Sequence, residues 1–518
     1  MKAANPSIAF RVDASLEIGT GHVMRCLTLA EALRDMGAMV SFVSRELAGN
    51  MIEQMERRGF CIKRLPTPDG SPPEDPPTHA AWAGVHWKQD ATETCDALND
   101  IDLDWLVVDH YSFDDRWEKA VRRDGMQIMV IDDLADRTHG CDLLLDQNLA
   151  RIEKHYRPLV HSESCRLLLG PRFALLRPEF AERRAMSLLR REDQAFEHIL
   201  VSMGGVDQNN VTEVVLKALE NADLPAACKV TVVLGEKCPW HRKVQTIAKK
   251  SRRPTQVLQN VSNMAMLMLK ADLAIGAAGS STWERCCLGL PTILVTMAKN
   301  QQPVVQAMKL ANAGIDVGSS DSAEFTDRFD DALKAIRNPM LLSKFAQLSA
   351  EICDGDGVGR VSNQLLPPRY SFRDVKLEDS RRIWEWRKFP DYERFGKSGG
   401  SPSFPQHQHW FRSAISNPKR TFRILELGKL ACGYVRLDQL KGVNASISIC
   451  LSSDARGQGL AKELLREAHD LAIQKELSEI HAEIHPENEG SIRVFESAGY
   501  KRLQVSNAFL HYQYSIGA

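Results

Sequence analysis

The 518-residue sequence lacks several features that would place it in a special class of protein. Its charges nearly cancel, with 66 Lys and Arg against 67 Asp and Glu, so no excess charge points to a nucleic acid or an anionic surface as partner. No apolar run reaches the length of a membrane span, and the first residues show no secretory signal. We therefore expect a cytoplasmic protein with no nucleic-acid partner and no membrane partner.

Cysteine is present, but not at the spacing of a metal site. The 12 cysteines are scattered along the chain, and no Cys-x-x-Cys pair occurs among them. The adjacent Cys286 and Cys287 lie in an apolar segment, where packing is the ordinary role. Without a secretory signal, this pattern predicts reduced thiols and no bound metal.

What remains is an ordinary globular composition, with 43% hydrophobic and 26% charged residues. A chain of this length is too long to fold around a single hydrophobic core, and it indicates three domains. Apolar strand-like runs alternate with helical segments over residues 1–180 and again over 195–364, which predicts an α/β fold of two Rossmann-like halves around a cleft. Pro367 and Pro368 predict a linker, and residues 370–518 are expected to form an α+β domain.

The turn after the first strand is the strongest candidate for chemistry. It runs from Asp13 through Gly19, Gly21 and His22 to Arg25, and a helical pattern follows it. Strand, glycine turn and helix together direct backbone N–H groups at an anionic ligand. We expect His22 to act as a base, with Asp13 orienting its imidazole or handling the water. We place Gly21 and Arg25 in the substrate site. Helix capping by His22 and turn capping by Asp13 are the ordinary alternatives.

A second glycine turn lies in the second half. Gly279, Ser280 and Ser281 follow a strand and open a helix, so their N–H groups and hydroxyls can hold a diphosphate. Glu284, about one helical turn later, can accept hydrogen bonds from ribose hydroxyls. A helix start capped by serine is the ordinary interpretation of the same pattern. Asn300 and Gln301 follow the next strand and are expected at the same edge of the cleft.

The last third contains a third turn of this kind. Residues 456–461 read RGQGLA and fit an Arg-x-x-Gly-x-Ala/Gly loop, in which glycines expose N–H groups at a helix start. The residues expected to bind a pyrophosphate there are Arg456, Gly457, Gly459 and Ala461. Asn488 opens a second motif, residues 488–500, and is expected to contact the same cofactor. An unrelated α+β domain is the alternative.

Residues 1 to about 365 resemble the UDP-sugar hydrolases of pseudaminic acid biosynthesis, which cleave UDP-2,4-diacetamido-2,4,6-trideoxy-β-L-altropyranose. The resemblance is carried by residues 11–15, 19–25, 108–111, 131–133, 170–180, 203–207 and 279–284. It implies the GT-B fold of glycosyltransferases that use UDP-N-acetylglucosamine, but with water as the acceptor. It further implies a UDP-amino-sugar substrate, metal-free C–O cleavage with inversion, and sugar contacts from Tyr111 and Asn148.

Residues 370–518 resemble the GCN5-related N-acetyltransferases (GNAT), which implies acetyl-CoA as the acetyl donor. In the same pathway, a separate enzyme of this fold acetylates the 4-amino group of the UDP-sugar. The chain thus resembles a bifunctional hydrolase–acetyltransferase, with other enzymes of the nonulosonic acid pathway as possible partners. Phe495 stands where many members have a tyrosine acid, and the strand at 446–451 has no glutamate base. Tyr500, Tyr512 or a water is left to supply the proton transfer.

Three alternatives stay open on sequence alone. The first is a GT-B glycosyltransferase that transfers a UDP-amino-sugar to an acceptor. The second is a non-catalytic sensor or scaffold that binds a sugar nucleotide for the acetyltransferase. The third is the same pair of reactions on a related diamino-sugar nucleotide.

Overall fold

The computed structural model describes residues 5–70, 73, 76–193, 196–225, 227–298, 301–366, 370–388, 394–395, 402–440, 442–506 and 509–516. The chain divides into two compact units, Met1–Leu366 and Pro367–Ala518. The first unit contains two sheets and the second unit contains one.

The first sheet has seven parallel strands with helices between them. In chain order the elements are β1 (Ser7–Val12), α1 (Gly21–Asp35), β2 (Met39–Arg45), α2 (Ile52–Arg57), β3 (Cys61–Leu65), α3 (Trp87–Ala97), β4 (Trp105–Asp109), α4 (Asp115–Val121), β5 (Gln127–Ile131), β6 (Leu143–Asp146), α5 (Glu153–Tyr156) and β7 (Arg166–Leu169). The strand order is β3-β2-β1-β4-β5-β6-β7. The winding therefore reverses between β1 and β4, whose carboxyl ends flank the crevice in which such sheets bind ligands.

The second sheet has six parallel strands. After the connecting helix α6 (Pro178–Arg190), its elements are β8 (His198–Ser202), α7 (Val211–Asn221), β9 (Lys229–Leu234), α8 (His241–Lys250), β10 (Thr255–Gln259), α9 (Met264–Lys270), β11 (Leu273–Ala277), α10 (Ser281–Cys287), β12 (Thr292–Thr296), α11 (Gln302–Leu310), β13 (Ile315–Ser319), α12 (Phe325–Ile336), α13 (Pro339–Ile352) and α14 (Gly357–Leu365). The order β10-β9-β8-β11-β12-β13 reverses between β8 and β11. The turns after these two strands therefore lie side by side.

Two helices join the halves of the first unit. Phe180 of α6 is buried in the core of the second half, together with Leu176 just before the helix. Val361 and Leu365 of α14 return to the core of the first half, so the chain crosses between the halves twice. Burial of apolar side chains at both crossings holds the halves together.

The second unit is a mixed sheet with helices on both faces. Its elements are β14 (Tyr370–Asp374), α15 (Ser380–Trp386), α16 (Phe404–Ile415), β15 (Arg420–Leu427), β16 (Leu430–Gln439), β17 (Asn444–Leu451), α17 (Leu460–Gln474), β18 (Glu479–Ile484), α18 (Glu489–Ser497), β19 (Lys501–Ser506) and β20 (Phe509–Ser515). The order is β14-β15-β16-β17-β18-β20-β19. β17 and β18 run parallel, but their pairing ends at Ser446 and His481 although both strands continue. The two strands therefore separate and leave a gap in the sheet.

The first helix differs from its predicted start. The apolar pattern predicts a beginning at Cys26, whereas α1 begins at Gly21, with Met24 N donating to Thr20 O in the first turn. Glycine has a low helix propensity and therefore hides the first turn from a sequence pattern. His22 consequently lies inside the helix, in its first turn.

Candidate functional site

His22 faces the carboxyl end of β4. Its Nδ1 lies 3.3 Å from Asp109 Oδ1 and 3.4 Å from the Asp109 carbonyl oxygen. A proton on Nδ1 is therefore held by Asp109, and Nε2 is left as the basic nitrogen. Burial lowers the pKa of His22 below its ordinary value, and the Asp109 carboxylate opposes that shift. The imidazole is thus neutral near pH 7 and able to accept a proton.

Asp109 is fixed in turn by Arg25. Arg25 Nε and Nη2 donate to the two Asp109 carboxylate oxygens, both at 2.7 Å, and its Nη1 donates to Asp133 Oδ2 at 2.7 Å. Burial alone would raise the pKa of Asp109, but Arg25 and His22 hold it below its ordinary value. The Arg25 guanidinium is thereby engaged by two carboxylates, and it holds Asp109 and Asp133 in position.

Asp133 accepts hydrogen bonds from both residues that are predicted to contact the sugar. The Tyr111 hydroxyl donates to Asp133 Oδ2 at 2.6 Å, and Asn148 Nδ2 donates to the Asp133 carbonyl oxygen at 3.2 Å. The Tyr111 ring meets the His22 ring edge-on, with 4.6 Å between centroids. Four residues expected in the site therefore form one cluster around the carboxylates of Asp109 and Asp133: His22, Arg25, Tyr111 and Asn148.

Asp13 does not join this cluster. Its Oδ1 accepts hydrogen bonds from Arg45 N at 2.7 Å and from Ser44 Oγ at 3.2 Å, and Arg11 Nη1 lies 2.7 Å away. The side chain is fully buried, and His110 Nε2 lies 3.3 Å from its other oxygen. The expected contact with His22 is thus corrected: Asp109 takes that place, because β4 ends beside the first turn of α1.

The first and second glycine turns face each other across the cleft. A Cβ atom built on Gly21 would stand 4.0 Å from Ser280 Oγ, and one built on Gly205 would stand 4.0 Å from Thr20 Oγ1. Lys237 Nζ also crosses the cleft and donates to Gly49 O at 2.7 Å. The two predicted motifs, more than 250 residues apart in sequence, therefore form opposite walls of one site.

A buried arginine underlies the turn of the second half. Arg285 donates to three neutral oxygens, Ser281 Oγ at 3.1 Å, Thr282 Oγ1 at 3.0 Å and Ala277 O at 2.8 Å. Burial lowers its pKa to about 10, so the guanidinium keeps its positive charge at pH 7. A positive charge beneath residues 279–281 favours an anion at this turn.

Glu284 lies one turn further along α10. Its Oε1 is 3.7 Å from Arg177 Nη2, and burial raises the pKa of its carboxyl group. The side-chain oxygen of Gln301 accepts a hydrogen bond from Met297 N at 3.1 Å, so this oxygen is engaged within the protein. Asn300 lies outside the described residues.

The third glycine turn lies beside the gap between β17 and β18. Gly457 and Gly459 adopt φ values of +76° and +78°, which side-chain-bearing residues rarely adopt. Gly459 is the N-cap of α17, and Ala461 lies in its first turn. Arg456 precedes the two glycines. Beyond Ser446 and His481, the facing edges of β17 and β18 lack their mutual pairing, so an extended ligand arm can pair there.

The remaining predicted residues of this unit have structural contacts. Asn488 Oδ1 caps α18 by accepting from Ser491 N at 3.0 Å. Phe495 is buried against Tyr500, with 4.9 Å between ring centroids. The Tyr512 hydroxyl donates to Glu496 Oε1 at 2.8 Å, whereas the buried Tyr500 hydroxyl has no hydrogen-bond partner among the described residues. Burial raises the pKa of Tyr500.

The sequence did not predict the roles of several residues of the site. Asp109 and Asp133 lie at the carboxyl ends of predicted strands, where such sheets bind ligands, but the sequence assigned neither a partner nor a role to them. Arg285 directly follows the motif 279–284 and Arg177 lies within 170–180, but no pattern indicates the contacts of either residue. Trp82 and His79 lie in a proline-rich connection, where no periodicity indicates their contacts with Tyr111.

Two kinds of feature are absent from the described part of the chain. No group of three or more His, Cys, Asp or Glu residues there is arranged to hold a metal ion. None of the helices described has the length and apolar character that crossing a membrane requires.

Similar sequences and structures match each unit. Residues 198–347 match the glycosyltransferase family 28 C-terminal domain, and residues 369–501 match the acetyltransferase (GNAT) domain. The UDP-2,4-diacetamido-2,4,6-trideoxy-β-L-altropyranose hydrolase of Campylobacter jejuni is 25% identical over 60% of this chain and 98% of its own length. An uncharacterized protein of Methanocaldococcus jannaschii is 22% identical over 96% of both chains.

The crystal structure of MurG from Acinetobacter baumannii aligns with a TM-score of 0.52 and 13% identity, covering 70% of this chain and 99% of that one. The predicted fold is therefore confirmed: a GT-B architecture is followed by a GNAT domain. The chain joins a unit similar to sugar-nucleotide hydrolases and glycosyltransferases to an acetyltransferase domain.

Proposed function

We propose that the chain is a bifunctional enzyme of pseudaminic acid biosynthesis. One active site hydrolyses UDP-2,4-diacetamido-2,4,6-trideoxy-β-L-altropyranose to the free sugar and UDP. The other acetylates the 4-amino group of the UDP-4-amino-sugar precursor with acetyl-CoA. We assign residues 1–180 and 195–364 to the halves of the hydrolase and residues 370–518 to the acetyltransferase.

The observation that carries the hydrolase proposal is the placement of His22. Its Nδ1 is held by Asp109, and the adjacent Gly21 lies opposite Ser280 across the cleft. A base thus sits within reach of a ligand anchored on the second half. The similarity to the Campylobacter jejuni hydrolase, which spans nearly all of that protein, supports water as the acceptor.

In the proposed reaction, the diphosphate binds residues 279–281 above the positive charge of Arg285. Glu284 accepts hydrogen bonds from the ribose, and Tyr111 and Asn148 border the sugar. His22 Nε2 takes a proton from water as the water oxygen bonds to the anomeric carbon. The bond between that carbon and the phosphate oxygen breaks, with inversion, and its electron pair leaves with UDP. General-base help of this kind contributes roughly 10²–10⁴-fold.

In the acetyltransferase, Arg456, Gly457, Gly459 and Ala461 would hold the pyrophosphate of acetyl-CoA. The pantetheine arm would enter the gap between β17 and β18, since strand edges there face each other without pairing. The amine nitrogen attacks the thioester carbon and loses one proton to water, the C–S bond breaks, and the thiolate of CoA receives a proton. Tyr500 is a candidate donor because its hydroxyl has no hydrogen-bond partner among the described residues.

A glycosyltransferase is the second candidate function. The match of residues 198–347 to the glycosyltransferase family 28 domain favours it, because that match is to a family of transferases. The same His22 would then deprotonate a hydroxyl of an acceptor in place of water. A related diamino-sugar nucleotide is an alternative substrate for both reactions.

The deciding experiment measures UDP release from UDP-2,4-diacetamido-2,4,6-trideoxy-β-L-altropyranose without an acceptor and with EDTA present. The parent chain is compared with His22→Ala and with a matched control, His161→Ala. His161 is an exposed histidine of the first half that pairs with Asp115.

We expect release by the parent and the control and a loss of about 10²-fold or more in His22→Ala. No release by the parent, with UDP-sugar binding intact, would reject the hydrolase and favour a transferase or a non-catalytic binding protein. Release that EDTA abolishes would show that a metal is required.

A further inference from the structure

Aromatic rings border His22 on the first-half side of the cleft. Trp82 lies on a short 3-10 helix, Ala80–Ala83, in the connection between β3 and α3. Its ring stacks on that of Tyr111, with 5.5 Å between centroids and 24° between the planes. The His79 ring lies 4.6 Å from Trp82, and the His22 ring lies 6.5 Å from it. The rings form one continuous surface beside the candidate base.

This surface is anchored at both of its edges. Trp82 Nε1 donates to Glu17 Oε1 at 3.2 Å, which ties the indole to the turn that leads into α1. Ser112 Oγ donates to His79 O at 2.6 Å, which ties the same segment to the loop after β4. The indole N–H, the only polar group of the Trp82 side chain, therefore already has an acceptor. What the side chain still offers to a ligand is the apolar part of its rings that Tyr111 and His79 leave exposed.

Of the two large aromatic side chains of this surface, Trp82 is the one that remains partly exposed to solvent. Tyr111 is 7% exposed, and its hydroxyl is committed to Asp133, whereas Trp82 is half-buried. A tryptophan side chain buries roughly 150–250 Å² when it is fully covered, and its rigid two-ring face is wider than a six-membered sugar ring. A half-exposed indole next to the base is thus placed to contact the group that reacts.

The charges on the two halves indicate which half binds the diphosphate and which half binds the sugar. On the first half, the Arg25 guanidinium is neutralised by Asp109 and Asp133. On the second half, Arg285 places a positive charge beneath Ser281 and bonds to neutral oxygens. An anionic diphosphate is therefore favoured at the second half, which leaves the aromatic surface to the sugar.

We propose that Trp82 is the stacking residue for the sugar ring, and that it favours amino-deoxyhexoses. A 6-deoxy sugar carries a methyl group in place of a hydroxymethyl group. Contact between this methyl group and an indole face therefore desolvates no C6 hydroxyl. Glu17 is a positioning residue, because it holds the indole edge. The proposal rests on the proposed function, since it requires a sugar nucleotide in this cleft.

The test measures binding by calorimetry in the His22→Ala background, where turnover is blocked. The ligands are UDP, UDP-2,4-diacetamido-2,4,6-trideoxy-β-L-altropyranose and UDP-N-acetylglucosamine. The variants are Trp82→Leu, Trp82→Phe and a matched control, Trp87→Leu. Trp87 is a half-buried tryptophan of the same connection that packs beside Arg116.

We expect Trp82→Leu to raise the Kd of the deoxy-sugar nucleotide about tenfold and to leave the Kd of UDP within about twofold. Trp82→Phe should recover most of the affinity, and Trp87→Leu should match the parent. The loss for UDP-N-acetylglucosamine should be smaller than the loss for the deoxy sugar.

Equal losses for UDP and the deoxy-sugar nucleotide would overturn the proposal, because they would show that Trp82 only supports the fold. No change for either ligand would also overturn it. If the deoxy-sugar nucleotide binds through Trp82 but the parent chain does not hydrolyse it, the stacking role stands and the hydrolase assignment fails.

Discussion

Gly21 lies directly opposite Ser280, so that a single added carbon would reach 4.0 Å from the serine hydroxyl oxygen. The two halves therefore approach each other closely at this pair. Because a methyl group at position 21 would already contact Ser280, glycine keeps side-chain atoms out of this part of the cleft.

Gly21→Val should therefore narrow the cleft without straining the backbone, since Gly21 is not among the positive-φ glycines. We expect a rise of about tenfold or more in the Kd for UDP-sugar, measured by calorimetry. Gly70→Val is the control, because a Cβ there would meet nothing within 4 Å. Unchanged binding by Gly21→Val would show that the ligand does not pass between these residues.

Asp109→Asn should lower the rate of UDP release by roughly 10²–10⁴-fold, because the amide no longer fixes the tautomer of His22. UDP binding, measured by calorimetry, should stay near the parent value, since the nucleotide is placed on the second half. Circular dichroism checks that the loss of the Arg25 pair has not unfolded the domain. A near-normal rate in a folded variant would remove Asp109 from the site.

The pH–rate profile of UDP release should show an acidic limb below about pH 6.5. Burial lowers the pKa of His22 and Asp109 partly offsets this, so the neutral base is retained until the pH falls below the ordinary histidine value. In Asp109→Asn the limb should move to still lower pH, because the carboxylate that raises the pKa is gone. A limb above pH 6.5 would assign the proton transfer to another group.

Asp13→Asn should act on stability more than on chemistry. Asp13 and Asp90 both pair with the fully buried Arg11, so Asn at position 13 leaves that guanidinium with one carboxylate in place of two, at a cost of about 1–3 kcal/mol. Thermal unfolding at pH 7 should detect the loss, and the folded variant should bind UDP normally at low temperature.

The sign of the pH dependence follows from the direction of the shift. Burial would raise the pKa of Asp13, but Arg11 and His110 hold it well below its ordinary value. Its stabilising contribution is therefore present above about pH 4 and is lost as the pH falls through the lower pKa of the folded state. The stability difference between parent and Asp13→Asn should shrink on acidification. A constant difference would contradict this role.

Gly459→Val should impair the acetyltransferase alone. Gly459 has a φ of +78°, which a β-branched residue adopts only with strain, and it caps the helix at the expected pyrophosphate loop. We expect the KM for acetyl-CoA to rise about tenfold or more in a thiol-release assay. UDP release should be unchanged in the same preparation. Loss of both activities would point to unfolding.

The sequence predicted the elements that depend on local pattern. Alternating strands and helices indicated two α/β halves, and three strand–glycine–helix turns marked residues 19–25, 279–284 and 456–461. These signals are readable because periodicity and glycine turns are properties of neighbouring residues. The apolar pattern predicts the start of α1 too late, at Cys26, because glycine conceals the first turn of a helix.

Local sequence patterns could not predict which side chains the site residues contact. Asp13 was expected to orient His22, and the sequence offered it because both belong to one motif. In the structure Asp109 holds His22, and Asp13 is buried against Arg11. Pairing between strands brings β4 beside β1, and that pairing depends on contacts across many intervening residues.

By itself the sequence determined the class of the fold, the turns suited to anionic ligands and the resemblance to two enzyme families. Only the tertiary structure decided that Gly21 faces Ser280, that Asp133 joins Arg25 to Tyr111, and that Trp82 borders His22. The physical reason is that local propensity acts over a few residues. A site between two sheets is set instead by how their buried faces and connecting helices pack, which brings residues far apart in sequence into contact.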